Sequence, residues 1–140
     1  MSISRFEDIK AWQEARVLAK MIYDAAKSSQ GFARDLRFRD QITSAAVSVM
    51  SNIAEGFSRR STREFAQFLF VAKGSVAELQ SQLYVALDQG YIDQPMFQEL
   101  YSQAEQVARL TSGFITYLLT KDKPAGRKEP NKLNKPNELE

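Results

Sequence analysis

The chain reads as all-α: an antiparallel up-and-down four-helix bundle followed by a disordered C-terminal tail. Three observations predict this. Apolar residues recur at spacings of three and four through four long segments, the pattern of helices with one buried stripe. The breaks between those segments, near residues 30–34, 59–60 and 90–93, are short, which favours antiparallel neighbours. No alternating pattern of useful length suggests a strand.

The first helix is expected over residues 6–29. Its stripe is Trp12, Ala15, Ala19, Ile22 and Ala26, widened by Leu18, Met21 and Ala25. Glu7 and Asp8 would sit in the first turn and Lys27 in the last, as the helix dipole prefers. Ser28-Ser29-Gln30-Gly31 would end it.

The second helix is expected over 35–58, with Ile42, Ala45, Val49, Ile53 and Phe57 as its stripe. Its polar side is unusual. From Gln41 through Ala54 nothing is charged, about 21 Å of helix at 1.5 Å per residue. Gln41, Ser44, Ser48, Ser51 and Asn52 are small or neutral, where a solvent face carries Lys and Glu. Such a helix is buried on more than one side, at the bundle centre or against another subunit.

The third helix is expected over 61–89. Ser61 as N-cap and Glu64 three residues on fit a capping box. Phe65, Leu69, Ala72, Val76, Leu79, Leu83 and Ala86 make the main stripe. Phe70, Ala77 and Tyr84 form a second set that a single-faced helix does not need. Gly74 lies mid-helix, where glycine costs about 1 kcal/mol relative to alanine; close approach of another backbone would explain it. Gly90 suits the position just past the helix end.

The fourth helix is expected over 94–120, with Asp93 as N-cap and Pro95 in the first turn. Phe97, Leu100, Ala104, Val107, Thr111, Phe114 and Leu118 carry its stripe. The tail, 122–140, holds three of the four prolines and no aromatic residue. It cannot bury enough surface to offset its ordering entropy.

Composition excludes whole classes of function. The 140 residues hold no cysteine and no histidine. Disulfides, thiolate chemistry, Cys/His zinc sites and imidazole catalysis are therefore absent. No apolar run approaches a bilayer span, and the polar start MSISRFEDIK is no signal peptide, so a cytoplasmic protein without a membrane partner is expected. No P-loop, GxGxxG or Glu-x-x-His pair appears, and neither enzyme activity nor a cofactor or metal is expected. A carboxylate site is conceivable at Glu55 or Glu78, both set among apolar or small residues. Their alternative use is as buried carboxylates paired with Arg, Asn or a helix terminus.

The charge is uneven. Residues 1–120 hold thirteen Lys/Arg and thirteen Asp/Glu, so the body is neutral and residues 121–140 supply the net +2. Within the body, residues 34–63 carry six Arg against Asp35, Asp40 and Glu55. Arg59, Arg60 and Arg63 bracket the turn between helices two and three. Arg34, Arg37 and Arg39 sit at the start of helix two. Helix rise separates the two groups by about 30–35 Å, so they are two clusters. Either suits phosphate contact. The nearby Phe32, Phe38 and Phe57 are better used in packing than in base stacking.

Residues 45–56, AAVSVMSNIAEG, carry a resemblance to a known family. Phe6-Glu7-Asp8-Ile9 and Trp12-Gln13 precede them. Glu64-Phe65, Phe68-Leu69, Ala72-Lys73-Gly74-Ser75 and Glu78-Leu79 follow. Together, over roughly residues 5–120, they resemble the four-helix-bundle proteins encoded in intervening sequences of 23S rRNA genes. The resemblance implies a left-handed up-and-down bundle and a homo-oligomer, with a ring-like pentamer as the form. Ribosomal RNA or the ribosome is the family's proposed partner. A related branch serves as accessory protein to the reverse transcriptase of diversity-generating retroelements. Asn52, Glu55 and Gly56 match one family motif, and Gly74, Ser75 and Glu78 a second. Their implied roles are structural: small residues for close helices, Asn and Glu for buried hydrogen bonds. The family commonly shows Gln-Ile-Arg-Arg-Ala in helix two. Here Thr43-Ser44 follow Gln41-Ile42, removing two cations, and Met50 stands where Pro is common.

Two functional expectations follow. One is a non-enzymatic oligomeric bundle that binds RNA or a ribonucleoprotein through its Arg clusters. The other is a protein-interaction scaffold, or a reverse-transcriptase accessory subunit, without nucleic-acid affinity of its own.

Overall fold

The computed structural model describes residues 3–121. The expected disordered tail, 122–140, lies outside the described residues. Four long helices form the bundle: α1 (Lys10–Ser28), α3 (Leu36–Phe57), α4 (Thr62–Asp88) and α5 (Gln94–Lys121). A five-residue helix, α2 (Gln30–Arg34), fills the first connection. Packing runs in a closed square, α1 against α3, α3 against α4, α4 against α5, and α5 against α1. Successive long helices are therefore neighbours, as short connections require.

The expected stripes form the core. Leu18, Ile22, Ile42, Val49, Ile53, Leu69, Val76, Leu79, Leu83 and Val107 are fully buried. Each contributes about 1.5–3 kcal/mol by leaving water. On α5 the stripe shifts by one residue near its end. Ile115 is the buried residue, while Phe114 is half-buried and meets Phe65 edge-on at 5.3 Å. Thr111 is buried with its hydroxyl donating to Val107 O at 2.7 Å, so the polar group is satisfied within its own helix.

Two expectations at the first helix need correction. It does not start at residue 6: a 3₁₀ turn, Phe6–Asp8, comes first, and Ile9 between them is extended. Ile9 leaves helical geometry to put its side chain in the core, where it is buried. Phe6 then folds edge-on against Trp12 at 5.1 Å, and the Gln13 side chain donates to Glu7 O at 2.8 Å. Glu7 and Asp8 consequently lie outside the first turn of α1. At the other end, Gly31 is no helix terminator. The chain leaves α1 at Ser29, whose hydroxyl caps α2 by accepting the Phe32 N–H at 3.3 Å. Gly31 sits inside α2, where a Cβ would meet the Tyr91 ring at 3.2 Å.

The remaining caps are as expected. Ser61 Oγ accepts the Glu64 N–H at 3.1 Å, and Asp93 Oδ1 accepts the Met96 N–H at 3.0 Å. Gly90 has φ +75°, and the following Tyr91 N–H reaches back to Ala86 O at 2.9 Å.

The uncharged side of α3 does not lie at the bundle centre. Ser44, Val47 and Ser51 are exposed on the single chain. α4 exposes Val71, Gly74 and Val85 on its outer side, with Val71 53% exposed, and Phe70 and Ala77 further round toward α5, on the line of Tyr84, which packs on Phe97 and Tyr101. A Cβ on Gly74 would meet nothing within 4 Å, so no backbone among the described residues approaches it.

Candidate nucleic-acid interface

α3 spans 22 residues, about 33 Å, and holds the two Arg clusters at opposite ends of the bundle. At its start the arginines are built around an aromatic clasp. Phe32, Phe38 and Tyr91 pack with ring centroids 5.4–5.8 Å apart. Phe32 is buried and Phe38 half-buried, so both serve packing. Asp35 caps α3 by accepting the Phe38 N–H at 3.2 Å, and its other oxygen accepts the Tyr91 hydroxyl at 2.6 Å. The Tyr91 hydroxyl, with the Phe38 N–H second, holds the Asp35 carboxyl below its ordinary range. The same bond raises the Tyr91 hydroxyl above its own. Arg34 is the last residue of α2 and not part of the second long helix as expected. Arg39 is tied back, donating to Ala33 O at 3.1 Å. Arg34 and Arg37 are exposed.

At the other end of α3, Arg59 is fixed twice. It pairs with Glu55 Oε2 at 2.7 Å, and its guanidinium lies 4.6 Å from the centre of the Phe68 ring. Arg60 and Arg63 are exposed, and among the described residues neither meets a carboxylate. The antiparallel course brings Lys121, at the end of α5, to this end as well. Arg59, Arg60 and Lys121 line one cavity of about 200 Å³, together with Ser61, Phe65 and Tyr117. Phe57 is half-buried against Phe65.

Sequence reasoning misses Lys121 and Tyr117 because nothing local marks them. The signal lies in the topology: in an up-and-down bundle the end of the fourth helix lies beside the turn between the second and third.

The family-motif residues divide. Gly56 is buried, and a Cβ there would come within 2.8 Å of Phe65 and Phe68. Ser75 is buried and shares a hydrogen bond with Ser48 Oγ at 2.9 Å across the α3–α4 seam. The Asn52 amide donates to Ser48 O at 2.8 Å and Ser48 Oγ at 3.0 Å, steadying that bridge. The other three do not fit the roles the resemblance implied. Glu55 is 54% exposed, and Glu78 is exposed and accepts from Gln82 at 3.4 Å. Gly74 is exposed in open space. Outward helix positions explain all three: 55 lies over the groove, 74 and 78 on the outer side of α4. With Ser48 opposite Ser75 and Gly56 opposite Phe65 and Phe68, Glu55 and Glu78 stand about 15 Å apart along the seam. They do not form one carboxylate site.

The family model described as 23S rRNA-intervening sequence protein matches residues 7–113. Among solved structures the chain is similar to a protein of unknown function from the S23 ribosomal protein family of Bacteroides thetaiotaomicron. The identity is 18% and the TM-score 0.70, over 75% of this chain and 97% of that one. That likeness is one of fold. No curated protein matches the chain.

Proposed function

The chain belongs to the family of 23S rRNA-intervening sequence proteins, and from that premise we propose a non-enzymatic, homo-oligomeric bundle that binds RNA or a ribonucleoprotein. One observation carries the RNA part. At the α3–α4 end, Arg60, Arg63 and Lys121 stand exposed without carboxylate partners among the described residues, beside the fixed Arg59. Cations exposed together at one end of a neutral body suit phosphate contact. Arg39, held by Ala33 O, makes the opposite end the weaker of the two.

The homo-oligomer is supported by the α3–α4 face. Val47, Val71 and Val85 are large apolar side chains on its exposed side, and Phe70 extends the exposed apolar surface round α4. The exposed Gly74 and Ala77 between them admit a close neighbour. The family resemblance makes a pentameric ring the form proposed, which would repeat the basic end around an axis. Among the described residues no helix is long and apolar enough to cross a membrane, and a cytoplasmic location is the one we propose.

The same face favours a second reading: a protein scaffold, or an accessory subunit of a reverse transcriptase, that binds no nucleic acid itself. Light scattering at low and high salt, with the 260/280 nm absorbance ratio on the same peak, separates the two. An oligomer that releases nucleic acid as salt rises supports RNA binding. A nucleic-acid-free oligomer at low salt that also retains no added RNA supports the scaffold.

A further inference from the structure

Two cavities meet at the α3–α4 end of the bundle. The basic one, about 200 Å³, carries Arg59, Arg60 and Lys121, and no acidic residue among the described residues lines it. The second, about 320 Å³, lies between the start of α1 and the last turns of α5. Ile9, Ala11, Leu110 and Gly113 make it largely apolar, with Asp8 and Lys10 also lining it. The two share Ile3, Phe114 and Tyr117.

The basic compartment has the chemistry of a phosphate site. Arg60 and Lys121 have no carboxylate partner among the described residues, and the Lys121 ammonium lies 5.6 Å from the Tyr117 ring centre. α4 begins at Thr62, which lines the same cavity. The Glu64 N–H is taken by Ser61 Oγ and the Phe65 N–H by Ser61 O. The N–H groups of Thr62 and Arg63 have no acceptor within the helix and add to the positive field.

The apolar compartment has the size and surface for a planar ring. Phe114 and Tyr117 lie stacked, 6.0 Å between centroids and 20° between planes, and Tyr117 is 38% exposed. Its volume falls within the range of small-ligand pockets. Aromatic faces of this kind take nucleobases without regard to sequence. The apolar compartment lies on the α1–α5 side, across the bundle from the exposed α3–α4 face.

We propose that the paired cavities bind one nucleotide, its phosphate on Arg60 and Lys121 and its base against Tyr117 in the apolar compartment. This rests on the RNA reading and names the part of the strand that is held: a single unpaired nucleotide.

The test is calorimetry on the full chain at low salt, with adenosine monophosphate, adenosine, inorganic phosphate and a short single-stranded RNA as probes. The monophosphate should bind at least about ten-fold tighter than adenosine or phosphate alone. Arg60→Glu and Lys121→Glu should each weaken it about ten-fold. Gly113→Leu is the decisive variant, because a Cβ there meets nothing within 4 Å and the fold has room for it. It should block the monophosphate and leave phosphate binding unchanged. Monophosphate binding no tighter than phosphate, or unaltered in Gly113→Leu, overturns the site. If RNA binds wild type and Gly113→Leu alike while the monophosphate does not bind, the pocket falls and the RNA reading stands. If the monophosphate binds and RNA does not, the pocket stands with a free nucleotide as ligand and the RNA reading falls.

Discussion

The Tyr91 hydroxyl donates to Asp35 Oδ2 at 2.6 Å across 56 positions of sequence. It joins the turn after α4 to the N-cap of α3. Asp35 therefore does two jobs with two oxygens, capping a helix and clasping a distant turn. Ser29 adds a second link, donating to Tyr91 O at 3.1 Å. The short α2 is held in place between these contacts, with Phe32 stacked on the Tyr91 ring.

The clasp makes stability depend on pH at both ends of the scale. The Asp35 carboxyl is depressed from its ordinary 3.8, so its contribution is present above that value and lost as pH falls through the lower folded value. The Tyr91 hydroxyl is raised from 10.0, so its contribution is present below 10.0 and lost as pH rises toward the higher folded value. Tyr91→Phe should lower the thermal midpoint at neutral pH and flatten the alkaline decline. Thermal melts across pH check this; an unchanged midpoint and an unchanged alkaline limb would refute it.

Glycines 56 and 74 should respond oppositely to alanine. At Gly56 the new Cβ lands 2.8 Å from Phe65 and Phe68, and the overpacking should cost about 1–3 kcal/mol. At Gly74 nothing opposes it within the chain, and helix propensity favours alanine by about 1 kcal/mol. Urea unfolding of the two variants, with their masses recorded alongside, compares them. A loss at Gly74 accompanied by dissociation would place a neighbouring subunit against that residue.

Charge on the exposed α3–α4 face should dissociate the oligomer and spare the fold. Val71→Lys adds a cation at a position 53% exposed in the single chain, so it removes little packing there. The expected result is a single-chain mass with an unchanged helical circular-dichroism spectrum. An intact oligomer would move the interface elsewhere.

Reversing the basic end should weaken RNA binding and reduce its dependence on salt. The triple change of Arg59, Arg60 and Arg63 to Glu removes up to three cations that face phosphates. For a single strand, the slope of log affinity against log salt should fall by about 0.7 for each phosphate that is no longer neutralised. Arg39→Gln, at the tied-back position, should change that slope little. Titrations at several salt concentrations measure both.

The resemblance carried by residues 45–56 and 64–79 points to the right family, and the helical periods point to the right bundle. Ser61, Asp93 and Gly90 are legible as helix boundaries because capping is local chemistry between residues three to five apart. α2 is not legible, since five residues are too few to show a period. The period points to Phe114 in place of Ile115, because a 3.6-residue repeat drifts along a 28-residue helix. The sequence puts Glu55 and Glu78 on helices but not on a face. Apolar sequence neighbours do not bury a side chain that points outward.

The amino-acid order by itself determined which segments are helical, where most of them stop, and that cysteine and histidine chemistry is excluded. Those properties depend on residue type and on spacing within one turn. Only the tertiary structure decided which residues meet from different helices. Ser48 with Ser75, Asp35 with Tyr91, and Arg60 with Tyr117 and Lys121 are brought together by the packing of the bundle. Such meetings depend on how the helices are rotated and shifted against one another. That is set by the fit of the whole core, and no local stretch of sequence records it.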